Sequence, residues 1–558
     1  MRNQLILFAS ITALTAFTSC SKLGNLSADN FTVEPTPLEV QGGKVPATIN
    51  GTFPVKYMKP KAVVTVVPEL HYGNGQVAKG QSATFQGEKV LGNDQTISYK
   101  MGGRYTMKTS FDYVPEMQKS DMYLTFDARI GNKKQNVPAV KVSNGVIATA
   151  ELYKVALMNA GGCIAPDSFQ RVKAQKQEAN IKFLINQANL RKSELKNNSV
   201  KEFVELLRRI NADREGLNMK NVEIQAYASP EGGFSFNDKL ANKRQDVSEG
   251  YVKQQLKAAK MADTDIDAHY TAQDWDGFQR LVQASNIQDK DVILRVLSMY
   301  KDPEERERQI RNMSEGFREL ADGILPQLRR SRLIINYETV GRSDDQIKAQ
   351  YAADPSRLSA DELLYAAALE DNAAQKEAIY RKTAQLYDKD YRAFNNLAVM
   401  AFNEGNDAAA KDYINQALSK NPKAGEPNAN LALIALKNGD VKQAEADLSN
   451  AIDANGFNEV LGNLNIAQGN YAAAESNFQG SNSNSAALAQ LLNKNYAAAV
   501  ATLKNVKNPD AVTDYLMAVV LNRQGNTATA KEKLQSAVSK SSWLANYAKN
   551  DLEVANLQ

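Results

Sequence analysis

Residues 222–244, VEIQAYASPEGGFSFNDKLANKR, hold three signals in succession. Val222 to Ala228 reads as a strand, Ser229-Pro230-Glu231-Gly232-Gly233 as a turn, and the residues that carry Asn237, Leu240 and Arg244 as a helix. Upstream, Ile181-Lys182-Phe183-Leu184-Ile185 reads as another strand. It precedes an amphipathic helix in which Val200, Phe203, Val204, Leu207 and Ile210 recur on one face. A strand, helix, strand, helix order predicts an α+β domain with its helices packed on one face of a sheet. Downstream, Arg330-Ser331-Arg332-Leu333-Ile334-Ile335 reads as a closing strand. Between them, residues 274–325 hold apolar helical patterns around Trp275, Phe278, Leu281 and Val282, then Val292, Ile293, Val296 and Leu297. These are followed by the mixed-charge helix Pro303–Arg308, with Pro303 in its first turn and local ion pairs on a solvated face.

The strand from Ile224 to Ser229, the glycine turn, and Asn237, Leu240 and Arg244 in their order and spacing resemble the C-terminal domain of the OmpA family, the peptidoglycan-associating module. The resemblance covers roughly residues 165–340, with the helical insertion at 274–325. It implies that Arg244 meets a carboxylate of the diaminopimelate branch of peptidoglycan, a task suited to the planar guanidinium fork. The family's strand-end aspartate is replaced here by Ser229, which forms no ion pair with an ammonium group. Glu231 and Asp238 are the nearby carboxylates. Two readings stay open: a wall-binding site at Ser229, Asn237 and Arg244, and a domain that keeps the fold and meets a protein instead, with Arg244 holding the strand-end loop.

From about residue 360 the chain becomes alanine-rich. Leu397, Gly405, Ala410, Ile414 and Ala417 recur as Leu431, Gly439, Ala444, Leu448 and Ala451, each pair 34 residues apart. With small residues where helices cross and Pro422 after the second helix, this pattern resembles tetratricopeptide repeats. Weaker copies centre on Ala474, Ala499 and Ala530, spaced 25 and 31 residues apart. A helix pair cannot bury its apolar face alone, so such units stack into an all-α solenoid with a groove that takes an extended segment or a helix. Asn396 and Asn430 are equivalent positions in successive units and are predicted to line one concave wall. An amide that both donates and accepts suits a peptide backbone; solvated helix-surface asparagines are the alternative.

Residues 26–150 read as an all-β sandwich. Short β-branched or aromatic runs such as Ala62–Val67 and Met122–Ile130 are separated by turn signals at Gly73-Asn74-Gly75, Gly92-Asn93-Asp94 and Gly131-Asn132. Lys56, Lys59 and Lys61 in this region either face a membrane surface or protect strand edges.

At the N-terminus, Arg2, an apolar stretch from Leu5 to Phe17 and Thr18-Ser19-Cys20 resemble the signal and lipobox of bacterial lipoproteins. The resemblance implies cleavage after residue 19 and acylation of Cys20. The apolar run falls short of the roughly 20 residues that span a bilayer. No acidic residue stands next to the cysteine, which by the sorting rules of Gram-negative lipoproteins implies the outer membrane, and no acidic run lies just beyond it, which implies the periplasmic face, with the cell surface as the other location. The expected organisation is therefore a multidomain chain: signal 1–19, lipidated tether 20–25, β-sandwich 26–150, OmpA-like domain 151–345 and repeats 346–558. The mixture of modules resembles lipoproteins of the Bacteroidota.

The 558-residue chain carries a net charge of +4, with no concentrated basic run to suggest nucleic acid. It has two cysteines, and lipidation of Cys20 leaves Cys163 unpaired, a small residue in an apolar setting. The two histidines, His71 and His269, belong to no metal-binding motif, and no nucleophile elbow or phosphate-binding loop occurs. No cofactor or metal is expected. The reading is a non-enzymatic scaffold that joins the outer membrane to peptidoglycan, to a protein held by the repeats, or to both, in an envelope assembly or secretion complex. A surface-exposed binding lipoprotein is the alternative, and a cell-wall hydrolase, whose carboxylate pair has no sequence signature, is the remote one.

Overall fold

The computed structural model describes residues 22–287, 289–312 and 318–558. They form two compact units: residues up to Asp167 together with Glu370–Gln558, and Ser168–Leu369. These limits differ from the expected boundaries at 151 and 346. Residues 151–167 join the repeats because Leu152, Tyr153, Ala156 and Leu157 are buried in the repeat core. Residues 346–369 join the central unit, where Arg342 pairs with Glu362 at 2.7 Å, Arg171 pairs with Asp344, and Phe169 packs on Tyr365 at 4.6 Å.

The central unit is a mixed α/β fold. Across its four-stranded sheet the order is Val172–Lys182, Arg330–Val340, Leu217–Tyr227, Asp265–Thr271. The first two contacts are antiparallel, and the last, with Val222 opposite Ile266, is parallel. Helices Asn198–Ala212 and Phe234–Ala258 bury Phe203, Leu207, Ile210, Val252 and Leu256 with Ile181, Val222, Ile224, Leu333 and Ile335 of the sheet. Asn197 starts the first helix by accepting from the Val200 N–H at 2.9 Å, which satisfies one of the orphan donors there. The first strand ends at Lys182, leaving Leu184 and Ile185 exposed rather than paired as expected. The strand Asp265–Thr271 was not anticipated, although Ile266, Ala268 and Tyr270 alternate with polar residues. The insertion follows it as helices Trp275–Ala284, Lys290–Met299 and Pro303–Arg311, with a core of their own around Phe278, Val282, Ile293 and Leu297.

In the other unit the N-terminal region is β-rich. Strands Phe31–Glu34, Lys44–Phe53 and Gly103–Asp112 form one antiparallel sheet, and a second is built on the long pair Ala62–Tyr72 and Ser120–Ile130. Alternate residues of both sheets share one core, in which Phe53, Phe85 and Tyr105 meet with ring centroids 4.2–5.3 Å apart.

Residues 370–558 are all-α, a succession of antiparallel helix pairs that includes Tyr391–Asn403 with Asp407–Lys420 and Gly425–Lys437 with Val441–Leu448. The periodic Ala410, Ile414, Ala417, Ala444, Leu448 and Ala451 are all buried. Gly405 and Gly439 end their helices at φ 77° and 80°, a left-handed conformation that explains their recurrence. The following Asn406 and Asp440 cap the next helices.

The array closes on a buried acid. The Tyr515 hydroxyl donates to Asp551 Oδ2 at 2.6 Å and the Glu553 N–H to Oδ1 at 3.0 Å. Burial nevertheless pushes the Asp551 carboxyl up to about 6. The folded chain thus holds a proton that the unfolded chain releases, so this group's contribution to stability is full below about pH 4 and lost as pH rises through about 6. Asp551→Asn should flatten that dependence, removing a slope worth about 3 kcal/mol, as read from urea midpoints across the window. An unchanged slope would count against this role.

Candidate functional site

Asn395 and Asn396 on helix Tyr391–Asn403, and Asn430 on helix Gly425–Lys437, are buried polar side chains on one wall of the repeat array. Lying 34 residues apart, Asn396 and Asn430 face the same side, as the period predicts. They grip an extended backbone, and that backbone is the chain's own. Asn430 Oδ1 accepts the Cys163 N–H at 2.7 Å and its Nδ2 donates to the Cys163 carbonyl at 3.0 Å. Asn396 repeats the arrangement on Ala165, at 2.8 and 3.2 Å. Residues i and i+2 of an extended chain point their backbone groups to the same side, so two amides copy the rungs of a strand ladder.

Further groups complete the clamp. Asn395 Nδ2 donates to the Cys163 carbonyl at 2.9 Å, and its Oδ1 accepts from Asn430 Nδ2 at 3.0 Å. Asn455 donates to the Ile164 carbonyl at 3.1 Å. Arg392, held by Asp390 at 2.7 Å, donates to the Asp167 carbonyl at 2.8 Å. Asn395, Asn455 and Arg392 escaped sequence reading: position 429, one period beyond Asn395, is Ala429, so no repeat flagged it. Upstream of the extended stretch, the helical residues Leu152, Tyr153, Ala156 and Leu157 bury apolar surface against the same helices.

The clamp selects by size. A Cβ added to Gly162 would lie 2.8 Å from Val399 Cγ2 and 2.9 Å from Asn430 Oδ1, so only glycine passes there without displacement. The Cys163 thiol is buried, and burial, followed by the charges of Glu426 and Glu459, pushes it up to about 12. It is a packed, unreactive group at neutral pH.

In the central unit the structure brings Ser229, Asn237 and Arg244 to one turn and directs them inward. Asn237 Nδ2 lies 3.0–3.1 Å from the carbonyls of Ser229, Glu231 and Gly232. The Ser229 hydroxyl donates to Glu231, whose carboxylate pairs with Arg329 at 2.6 Å. Arg244 is 1% exposed and donates to the carbonyls of Tyr227 at 2.7 Å, Gln187 at 3.0 Å and Leu184 at 3.2 Å, with its guanidinium over the Phe183 ring. The fork that the resemblance reserves for a ligand carboxylate is committed to main-chain oxygens. Burial, and then Arg329, pull its pKa down to about 10, which leaves it charged at neutral pH. The physical reason is local: residues 183–187 leave the sheet edge as irregular chain, and their carbonyls need donors.

Cys20, the expected lipidation site, lies outside the described residues. Among the described residues no cluster of His, Cys, Asp and Glu could hold a metal ion, and no helix is long and apolar enough to cross a membrane.

No protein-family model and no curated protein matches the chain. Solved structures do. A tetratricopeptide repeat protein from Parabacteroides merdae is 16% identical over 38% of this chain and 91% of its own, with a TM-score of 0.28. YrrB, a tetratricopeptide repeat protein described as having an unusual peptide-binding site, is 18% identical over 37% of this chain and 99% of its own, with a TM-score of 0.19. Yeast Tom70 is 12% identical over 64% of this chain and 82% of its own, with a TM-score of 0.24. The repeat description of this chain rests on its own 34-residue period and helix pairing.

Proposed function

We propose that this protein is a non-enzymatic scaffold of the outer membrane, anchored through lipid on Cys20, facing the periplasm, and serving protein partners in an envelope assembly or secretion complex. The observation that carries the reading is the occupied repeat groove. Where such an array would hold a partner's peptide, it holds residues 149–167 of its own chain, and so makes the β-rich region and the repeats one platform. Partners then meet surfaces outside the groove. The β-rich region, a sandwich in this reading, spaces the platform from the lipid.

The central unit is taken as OmpA-like on the strength of its sheet, its one-sided helices, and Asn237 and Arg244 after the strand-end turn. With Ser229 in the place of the aspartate and Arg244 turned to the main chain, we assign this unit to protein contact rather than to peptidoglycan. The wall-tether reading keeps the motif spacing in its favour.

Cosedimentation of residues 22–558 with diaminopimelate-type peptidoglycan, beside cross-linking in intact cells, separates the two. The scaffold reading expects the protein to stay in the supernatant and to cross-link to envelope proteins. Saturable sedimentation with the wall would overturn the assignment of the central unit. Cleavage by protease added to intact cells would move the protein to the cell surface.

A further inference from the structure

Three loops meet at one end of the β-rich region. Residues 54–61 follow the strand Lys44–Phe53, residues 88–94 follow Ala83–Gly87, and residues 98–102 precede Gly103–Asp112. The loops are tied to one another: the Lys56 N–H donates to the Tyr99 carbonyl at 2.7 Å and the Lys89 N–H to the Pro60 carbonyl at 2.7 Å. Their tips carry large apolar side chains that face solvent. Val55 is 58% exposed, Met101 81% and Leu91 102%. Single exposed apolar residues are ordinary, but three on the linked loops of one end are a surface that water solvates poorly.

The same loops are basic. They carry Lys56, Lys59, Lys61, Lys89 and Lys100 against two acids, Glu88 and Asp94. Lys59 Nζ lies 4.9 Å from the centre of the Tyr99 ring, so an amphipathic aromatic with a cation beside it stands at the rim.

The chain also enters the fold at this end. The Leu23 N–H donates to Gln135 Oε1, and Gln135 lies opposite Ala128, two rungs in from the Ala62–Ile130 pair that starts the sheet beside Lys61. Phe31 then lies opposite Gly51, close to Phe53 at the foot of the loops.

We infer that this end of the β-rich region is a membrane-contact surface, in which Val55, Leu91 and Met101 enter the headgroup boundary of an anionic phospholipid leaflet and the surrounding lysines meet its phosphates. Apolar tips ringed by lysines suit that layer, where the side chains leave water while the ammonium groups stay in it. The inference rests on the lipid-anchor reading only in its geometry: a lipid two residues before Lys22 brings a bilayer to this end and to no other part of the β-rich region. The surface would fix the orientation of the β-rich region on the bilayer.

The test uses residues 22–558, which lack Cys20, and vesicles of phosphatidylcholine with or without phosphatidylglycerol. The protein is expected to sediment with the anionic vesicles and about tenfold less with neutral ones, with binding weakened by salt. Leu91→Asp with Met101→Asp, at side chains that face solvent, should reduce anionic-vesicle binding about tenfold or more while leaving the circular dichroism and thermal midpoint unchanged. Lys56→Gln with Lys61→Gln and Lys89→Gln should remove most of the salt dependence. Failure of the unaltered protein to bind anionic vesicles, or equal binding by the aspartate variant, overturns the inference. Intact mass of the full-length protein extracted from membranes tests acylation separately. An unmodified Cys20 with vesicle binding intact would sink the anchor reading and leave the contact surface standing.

Discussion

Arg244→Ala should lower the stability of the central unit by about 3–5 kcal/mol, the loss of three charge-assisted hydrogen bonds and of a buried side chain that fills the space beneath the strand end. The guanidinium is the common donor for the carbonyls of Leu184, Gln187 and Tyr227. Alanine takes the guanidinium from all three; the Leu184 carbonyl keeps the Gln187 N–H at 3.2 Å, while the others lose a charged donor in a partly buried place, where an acceptor left unpaired carries a desolvation penalty. Arg244→Lys keeps the charge but replaces a rigid fork with a point donor, and should recover only part of the loss. Urea unfolding of residues 22–558, followed at the tryptophan of the insertion through a Trp543→Phe background, isolates this unit because Trp275 is then the single remaining tryptophan. A site built for ligand gives the opposite pattern: binding arginines are spared by folding, so their removal leaves the midpoint in place. A midpoint within 1 kcal/mol of the unaltered protein, a difference of about fivefold in the unfolding equilibrium, would return Arg244 to the ligand-binding role.

Asn430→Ala should release the clamped segment, seen as an increase of about 30-fold or more in the rate at which a thiol reagent modifies Cys163. The side chain makes two bonds to Cys163 and one to Asn395, and its loss leaves the buried Cys163 N–H without this acceptor. An unsatisfied buried donor and the lost bonds together amount to about 2–4 kcal/mol of local opening, and 1.4 kcal/mol is a factor of ten. Cys163 is the only thiol in residues 22–558, so the readout is unambiguous. Asn428→Ala is the matched control, since the Asn428 side chain donates to the Ala424 carbonyl at the start of its own helix. Labelling at the unaltered rate in Asn430→Ala, with the helices still folded, would show that apolar packing of residues 152–157 alone holds the segment. It would also remove the asparagine ladder from the account of the platform.

The two asparagines mark how far the chain could be read. Their 34-residue spacing places them on one wall from sequence alone, because a repeat returns equivalent residues to equivalent positions on stacked helices. What they hold was not legible. The segment from Gly161 to Asp167 lies 231 residues before Asn396 for the Ala165 contact, and nothing in its own composition announces a partner that far along the chain. Residues 151–167 therefore read as the start of the central domain, the module they precede, when their apolar side chains complete the repeat core. The strand Asp265–Thr271 is a different case. Its alternation was visible but short, and a parallel edge strand makes no hairpin and leaves no turn signal beside its neighbour.

Sequence by itself determined the order of the modules, β-rich then α/β then helical repeats, because periods of two, 3.6 and 34 residues are properties of adjacent positions and survive without any knowledge of the fold. It also brought Ser229, Asn237 and Arg244 to one turn and set Asn396 and Asn430, though not Asn395 or Asn455, on the groove wall. Only the tertiary structure decided what those groups serve. Whether Arg244 points at solvent or at three carbonyls, and whether the groove stands open or is filled by residues 149–167, depends on where distant main-chain oxygens and amides come to rest. A polar side chain is satisfied by whatever partner the fold brings within 3 Å, and that partner is set by the packing of the whole unit rather than by the residues on either side.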